Sequence, residues 1–457
     1  MYKLGIKLKR LLLVIGDLVI FQAALLLTLW LRYGAIETHI WNLHFLPFGI
    51  LSLLWIVGSY VTGLYDLDVL KNGIKFFRLY LEGMIANLAI ALAYFYLIPI
   101  FNIEPRTNLF LYFAIVLLLG YGWRLAYNRF LTNTLFKNRV LFVGPGADAI
   151  KIRNLFEKNG FGFMLAAVFE TTPGSRFDDE RIAWYMSTES IQSIINEQRI
   201  HTILLGHKPD EVPGLRDSLY ETLFTSVNLL DRAALEEAIT GRIPLEYISQ
   251  TWFLEHLREN EKTWYEVIKR LGDFILAIPI GLVTLVLYPF IALLIKLTSP
   301  GSVLYSQIRV GRMGKLFRIW KFRSMIQDAE TDGRPQFATK DDERITKFGK
   351  ILRASRIDEL PQIWNVLRGE MSLIGPRPER PEFAEELTRQ MPYYALRHLI
   401  RPGLTGWAQV KFPYAGTFED NLIKLQFDLY YIKHRSFLID VAILLKTIGI
   451  ILRRQGT

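Results

Sequence analysis

The sequence predicts a multi-domain membrane protein. It is read as a four-helix transmembrane bundle, a Rossmann-like α/β domain, and a C-terminal α/β domain that carries a re-entrant membrane helix. Three observations predict this. Four apolar runs, at about 11–31, 45–64, 79–101 and 108–127, each approach or exceed the roughly 20 residues a spanning helix needs. After Asn138 the pattern changes to buried strands separated by glycine-containing turns, as in soluble α/β folds. A fifth apolar run, Leu271 to Leu297, has basic residues on both sides and Pro289 in its middle. The boundaries read from these shifts are 1–135 for the bundle, 136–243 for the Rossmann-like domain and 244–263 for a connector. A re-entrant hairpin at 264–299 and the C-terminal domain at 300–457 complete the chain.

Charge orients the first four runs. Lys3, Lys7, Lys9 and Arg10 precede the first run, and Lys71, Lys75 and Arg78 lie between the second and third. Arg124, Arg129, Lys137 and Arg139 close or follow the fourth, while the other two loops carry almost no basic residues. Positive-inside bias then puts the N-terminus and everything after the fourth helix in the cytoplasm. The first run is long and ends in WLRYG without a small-residue cleavage site, so it reads as an anchor and not a cleaved signal. Four such runs in succession are hard to hide in a soluble helical core.

The α/β pattern starts with RVLFVG as a buried strand, and GPGADA then gives G-x-G-x-x-A at Gly144, Gly146 and Ala149. A helix follows to about Lys158, and MLAAVFE ends a second strand at Glu170. HTILLG and SVNLLD read as further strands. This is a partial dinucleotide fingerprint; proline inside the loop and the lack of an obvious second half argue against a cofactor site. The stretch from Pro244 to Lys262, aromatic and charged by turns, is the connector.

The fifth run is long enough to cross, which would send the C-terminal domain to the opposite face. Arg258, Lys262, Lys269 and Arg270 precede it, and Lys296, Arg309, Arg312 and Lys315 follow it, so charge bias pulls both ends to one face. Proline clashes with the carbonyl four residues back, so Pro289 is the expected helix break, and Pro279 a second kink. A hairpin entering and leaving the cytoplasmic leaflet meets both demands. Near the C-terminus, Phe437 to Leu452 is mostly apolar, with Lys446 and Arg453 near one face. It reads as an interfacial helix, with packing on the domain as the alternative.

Chemistry concentrates between Lys321 and Val410, in the islands KFRSM, SRIDELPQ, GPRPE and RPGLTGWAQV. Pro361 is tolerated only in a first helical turn, so a helix through Leu360 to Leu367 is expected to begin at Asp358. The paired carboxylates Asp358 and Glu359 then stand at a helix N-terminus, where a diphosphate and its metal could share the site. Lys321, Arg323, Arg353, Arg356 and Arg377 are the candidate phosphate cations. Arg377 is best placed, because Pro376 and Pro378 restrict its backbone and a guanidinium fork matches phosphate oxygens. Asp is also a common N-cap, and many arginines are ordinary surface charge.

As an ordered set the four islands resemble the bacterial sugar transferase family, the monotopic phosphoglycosyl transferases. The likeness is close from about Lys269 onward and one of layout before it, where large members that prime exopolysaccharide, capsule or O-antigen synthesis are similar. The resemblance implies that Asp358 attacks the sugar-bearing phosphorus of a nucleoside diphosphate sugar, with Glu359 as its partner. The phosphosugar then passes to undecaprenyl phosphate. It implies Mg²⁺ at Asp358 and Glu359, phosphate contacts from Lys321, Arg353 and Arg377, and substrate contact from Arg401. Asp428 and Asp440 match two further family acids with supporting roles. A UDP-sugar, membrane lipid and a homodimer are the implied partners, and the bacterial inner membrane, with the catalytic domain cytoplasmic, the implied location. In the family the helix break is a Ser-Pro pair, whereas here it is Tyr288-Pro289.

Composition agrees with a membrane enzyme acting on anions: 51% of 457 residues are hydrophobic and the formal charge is +10. The basic excess flanks apolar runs, which explains it without nucleic acid. The absence of cysteine excludes disulfides, thiolate nucleophiles and cysteine zinc sites. Two other classes stay open at this point. A membrane-tethered NAD-dependent nucleotide-sugar dehydratase would need a Y-x-x-x-K pair inside the dinucleotide fold, and the match, Tyr265 to Lys269, lies outside it. A non-catalytic assembly scaffold is the other.

Overall fold

The structure, a computed structural model, describes residues 2–65, 73–97, 106–132, 138–159, 162–171, 179–186, 190–206, 215–222, 227–257, 262–327, 329, 342–412 and 417–452. The chain divides into two compact units, 1–239 and 240–457.

The first unit opens with helices α1 (Tyr2–Tyr33), α2 (Thr38–Val61), α3 (Ile74–Leu97) and α4 (Arg106–Thr132). Each contains a stretch long and apolar enough to cross a membrane. All four contribute to one apolar cluster, with Leu25 and Leu29 from α1, Trp55 from α2, Phe95 from α3 and Tyr112 from α4. Tyr112 stacks on Trp55 at 5.3 Å between ring centroids and meets Phe48 edge-on at 5.0 Å, both favoured aromatic geometries.

Arg124 is not the surface flank that its place in the sequence suggests. It is 2% exposed and donates to the Asp17 carboxylate at 2.5 Å and to the Leu64 carbonyl at 2.7 Å. The Tyr65 hydroxyl donates to the same Asp17 oxygen at 2.6 Å. A charge in an apolar interior persists only when paired, so this cluster ties α1 and α4 to the turn after α2. Asp17→Ala strands the guanidinium and is expected to cost about 3–5 kcal/mol. Thermal unfolding of the detergent-solubilised protein checks this, and an unchanged midpoint would mean that water reaches Arg124.

The rest of the unit is α/β: β1 (Asn138–Gly144), α5 (Gly146–Asn159), β2 (Phe163–Glu170), β3 (Ala183–Met186) and α6 (Ile191–Gln198), then β4 (Thr202–Leu205), α7 (Leu215–Glu221), β5 (Asn228–Asp231) and α8 (Arg232–Thr240). The strands form a parallel sheet in the order β3-β2-β1-β4-β5. Alternation divides β1 between two cores: Val140 and Phe142 face one apolar cluster, Leu141 and Val143 the other. Four of the strands fall where the sequence puts them. The edge strand β3, AWYM, was missed because it is short and half-exposed and has no continuous apolar run.

The second unit contains α9 (Gln250–His256), α10 (Thr263–Thr298), β6 (Leu304–Val310), β7 (Leu316–Phe322), α11 (Lys347–Ala354) and α12 (Ile363–Arg368). They are followed by β8 (Ser372–Ile374), α13 (Pro381–Gln390), β9 (Gly403–Thr405), α14 (Trp407–Lys411), α15 (Phe418–His434) and α16 (Phe437–Leu452). Strands β6 and β7 form an antiparallel hairpin, and β8 pairs with β9 in parallel.

Helix α10 corrects one expectation. Pro289 does not end a helix: a single 36-residue helix contains both Pro279 and Pro289. A proline removes one backbone bond, and an apolar helix packed on protein tolerates that loss. Its buried positions, Asp273, Ala277, Gly281, Thr284, Ile291 and Ile295, are three, four or seven residues apart and so form one stripe. Near its start, Arg270 donates to the Val366 and Leu367 carbonyls at 2.5 and 2.9 Å, and the Leu373 amide donates to Asp273 at 3.1 Å. Near its end, Ile291 and Ile295 pack with Phe322 and Leu352. Leu282, Val286, Phe290 and Leu297 are exposed on its other faces. Helix α16 has the expected bounds and is two-sided: Asp440 and Ile443 are buried, whereas Phe437 and Leu438 are exposed.

Candidate active site

The paired carboxylates lie on a tight turn, not at the start of an α-helix. After α11 the chain reverses through Arg356, which adopts the left-handed conformation (φ 55°), and residues Ile357–Gln362 form a 3₁₀ helix. Proline at 361 has no N–H for the Ile357 carbonyl that an α-helix would pair with it, so the turn stays tight until α12 begins at Ile363. The Glu359 amide closes this turn on the Arg356 carbonyl at 3.2 Å. Gly369, at φ 84°, then ends α12 in the usual left-handed cap.

Asp358 and Glu359 are 7% and 6% exposed. Glu359 is surrounded by cations: Arg377 donates to it at 2.5 Å, Lys321 from β7 at 3.2 Å, and Arg356 lies 3.8 Å away. Burial pushes its carboxyl up, but Arg377, Lys321 and Arg356 outweigh that and hold it well below the usual carboxylate range. Asp358 is the opposite case. Its side chain makes no hydrogen bond or ion pair among the described residues. Burial first, and the Glu359 charge second, push it above the usual range, against the pull of Lys321, Arg353 and Arg377. The two neighbouring carboxylates are thus pushed in opposite directions, Glu359 held ionised by its salt bridges and Asp358 raised by burial and by the Glu359 charge.

The other candidate residues separate into two groups. Lys321, Arg353, Arg356 and Arg377 gather around the dyad; Arg353 is also fixed by donating to the Ser324 hydroxyl at 2.9 Å. Arg323 and Arg401 do not join them and bond elsewhere in this structure. Arg323 is buried and donates to the Pro300 and Ser299 carbonyls at 2.6 and 2.7 Å, capping the end of α10. Arg401 donates to the Gly369 carbonyl at 3.1 Å and pairs with Glu266 at 3.3 Å, so with Arg270 it caps α12. Asp428 forms a fully buried pair with Arg397 at 2.8 Å. Asp440 accepts from Tyr265 and Tyr431 at 2.7 Å each and from Lys269 at 3.0 Å, which accounts for the Y-x-x-x-K pair.

Close backbone approach joins two of the islands. A side chain at Gly403 would strike the Gly375 backbone, and one at Gly406 would strike the Gly375 carbonyl. Glycine there lets the Gly375 amide reach the Thr405 carbonyl at 2.8 Å and the Gly403 amide reach the Pro376 carbonyl at 2.9 Å. A second polar cluster behind Arg377 was missed in the sequence: Glu379 meets Lys424 at 2.5 Å, Arg309 at 3.7 Å and Arg397 at 3.8 Å. Burial raises the Glu379 carboxyl, but these cations prevail and bring it down to about 2.

Among the described residues no three His, Cys, Asp or Glu side chains are gathered as a metal-binding group. Two adjacent carboxylates nonetheless fit Mg²⁺, which is usually held by one or two carboxylates together with substrate phosphates.

A family model described as bacterial sugar transferase matches residues 264–454. A UDP-N-acetylgalactosamine-undecaprenyl-phosphate N-acetylgalactosaminephosphotransferase of Aeromonas hydrophila is 45% identical over 235 residues, 49% of this chain and 52% of that protein. The chain thus aligns with about half of that relative's length. A UDP-glucose:undecaprenyl-phosphate glucose-1-phosphate transferase of Klebsiella pneumoniae is 30% identical over 441 residues, 90% of each protein. One of the same name from Xanthomonas campestris pv. campestris is 33% identical over 340 residues, 70% of this chain and 68% of that protein.

Proposed function

The chain belongs to the bacterial sugar transferase family, and on that premise we propose that it acts as a phosphotransferase carrying a sugar 1-phosphate from a UDP-sugar to undecaprenyl phosphate. The relatives' names agree in uridine diphosphate and undecaprenyl phosphate and differ in the sugar, so the donor is taken as a UDP-linked hexose or N-acetylhexosamine. The observation that carries the proposal is the buried Asp358 carboxylate, which makes no hydrogen bond or ion pair among the described residues, beside a Glu359 already neutralised by Arg377 and Lys321.

Transfer takes two steps. An Asp358 oxygen attacks the sugar-bearing phosphorus, the bond from that phosphorus to the bridging oxygen breaks, and the nucleoside monophosphate leaves with the electron pair. The acyl phosphate formed is then attacked at phosphorus by an oxygen of undecaprenyl phosphate, which frees Asp358. Arg377 and Lys321, with Arg353 and Arg356 beside them, hold phosphate oxygens and stabilise the charge that develops on them. Asp358 and Glu359, together with diphosphate oxygens, would hold Mg²⁺, whose chemistry is to offset the charge of the pyrophosphate and its leaving group. Product release from a panel of nucleotide sugars, with undecaprenyl phosphate in nanodiscs, tests the proposal through the nucleoside monophosphate set free. Chelation with EDTA is expected to abolish that release and excess Mg²⁺ to restore it; full turnover in the chelator would count against the metal.

The same reading keeps α10 re-entrant, with the catalytic unit at the cytoplasmic face of the membrane. Supporting it, both ends of α10 are held by the same unit, through Arg270 and Asp273 near its start and through Ile291, Ile295 and the Ser299 carbonyl at its end. Arg258 lies outside the described residues, but a single cysteine can be placed there and another at the exposed Arg312, since the parent has none. An impermeant maleimide is expected to label both from the cytoplasmic side of sealed vesicles. Labelling from opposite sides would make α10 a crossing helix.

A further inference from the structure

Arg377 sits in a loop whose four successive carbonyls are all held. The Gly403 amide donates to Pro376 at 2.9 Å, Arg397 to Arg377 at 3.0 Å, Arg309 to Pro378 at 3.1 Å, and the Val310 amide to Glu379 at 2.9 Å. Two of these donors are backbone amides. The other two are arginine side chains brought in from distant parts of the sequence. Arg397 is the more enclosed: it is 3% exposed, and its guanidinium also donates to Asp428 at 2.8 Å and to the Tyr394 hydroxyl at 2.6 Å. Glu379 is shared by Lys424, Arg309 and Arg397, and Asp428 pairs with Arg397 as well, so each of these cations has a carboxylate within 4 Å.

We infer that Arg397 is a positioning residue for phosphoryl transfer: braced by Asp428 and Tyr394, it fixes the backbone of Arg377 and so the direction of the guanidinium that faces Glu359. This rests on the proposed role of Arg377 at the substrate phosphate. Its bonds run to the Arg377 carbonyl, Asp428 and Tyr394, so it acts on the reaction through Arg377. A guanidinium suits this task because separate N–H groups in one rigid plane reach three acceptors at once, whereas an ammonium offers a single nitrogen. The length of the effect is short: a misplacement of about 1 Å at a substrate-holding group can cost about a hundredfold in rate.

A double-mutant cycle on the full-length enzyme in nanodiscs tests this, reading kcat/KM for the nucleotide sugar. Arg397→Lys and Arg377→Lys are each expected to lower kcat/KM by about a hundredfold. The double variant should fall no more than about threefold below the worse single variant, because both changes remove the same placement. Losses that multiply, to about ten-thousandfold in the double variant, would show that Arg397 works independently of Arg377 and overturn the inference. So would parental kcat/KM in Arg397→Lys. Should that variant not fold, Tyr394→Phe takes its place in the cycle, since it removes one hydroxyl brace and keeps the ring. A parental kcat/KM in Arg377→Lys alone would instead remove the assigned role of Arg377, and that result is read from a different variant.

Discussion

Asp358→Asn is expected to abolish attachment of labelled phosphosugar to the protein and to lower turnover by several orders of magnitude, on the order of 10⁴-fold or more. The amide keeps the size of the carboxylate and removes the anion that forms the new bond to phosphorus. Folding should survive, because the Asp358 side chain makes no hydrogen bond or ion pair among the described residues and lies beside a second buried negative charge. Removing that charge relieves repulsion with Glu359, so the unfolding midpoint is expected to stay level or rise slightly. A group kept at some cost to stability and lost at great cost to activity is what a catalytic carboxylate should be. If Asp358→Asn turns over at near the parental rate, Asp358 is a turn residue and the nucleophile lies elsewhere.

Glu359→Gln is expected to lower turnover by about 10²–10³-fold, and for a different reason. It leaves Arg377, Lys321 and Arg356 facing a neutral group, so their placement against phosphate loosens and, unlike Asp358→Asn, the protein is destabilised. The pH profile separates this from general damage. Asp358 must be ionised to attack, and burial and the Glu359 charge raise its carboxyl, so activity in the parent should fall away at a higher pH than an ordinary carboxylate would dictate. Removing the Glu359 charge removes one of the two causes of that rise. The acid limb of kcat/KM should therefore move to lower pH in Glu359→Gln. A limb that stays in place, or moves up, would mean that another group sets it.

Much of the architecture was legible because its signals are local. Runs of apolar residues fixed the position of α1 to α4, and continuous aliphatic stretches fixed β1, β2, β4 and β5. The dyad was legible from residue type and from Pro361, although the proline imposed a 3₁₀ turn where an α-helix was expected. What failed to show was the partner of each arginine. Arg323, Arg377 and Arg401 all sit in the short islands, and nothing in their immediate sequence separates a guanidinium aimed at a carboxylate from one spent on backbone carbonyls just past a helix end. That choice is made by contacts between segments far apart in the chain, as with Arg401 and Gly369. Arg124 misled for a related reason, since its partner Asp17 is 107 residues away. Glu379 was visible inside GPRPE, but Arg309, Arg397 and Lys424, which define its role, come from three separate elements.

The covalent intermediate is the central claim, and one measurement addresses it directly. The purified enzyme is mixed with Mg²⁺ and its nucleotide sugar in the absence of undecaprenyl phosphate, and nucleoside monophosphate is counted against enzyme while the intact protein mass is recorded. Transfer through Asp358 predicts a burst of about one nucleoside monophosphate per active site, with a mass increase equal to one phosphosugar on the peptide containing Asp358. No burst and no added mass until undecaprenyl phosphate is supplied would show direct transfer from donor to acceptor and contradict the account.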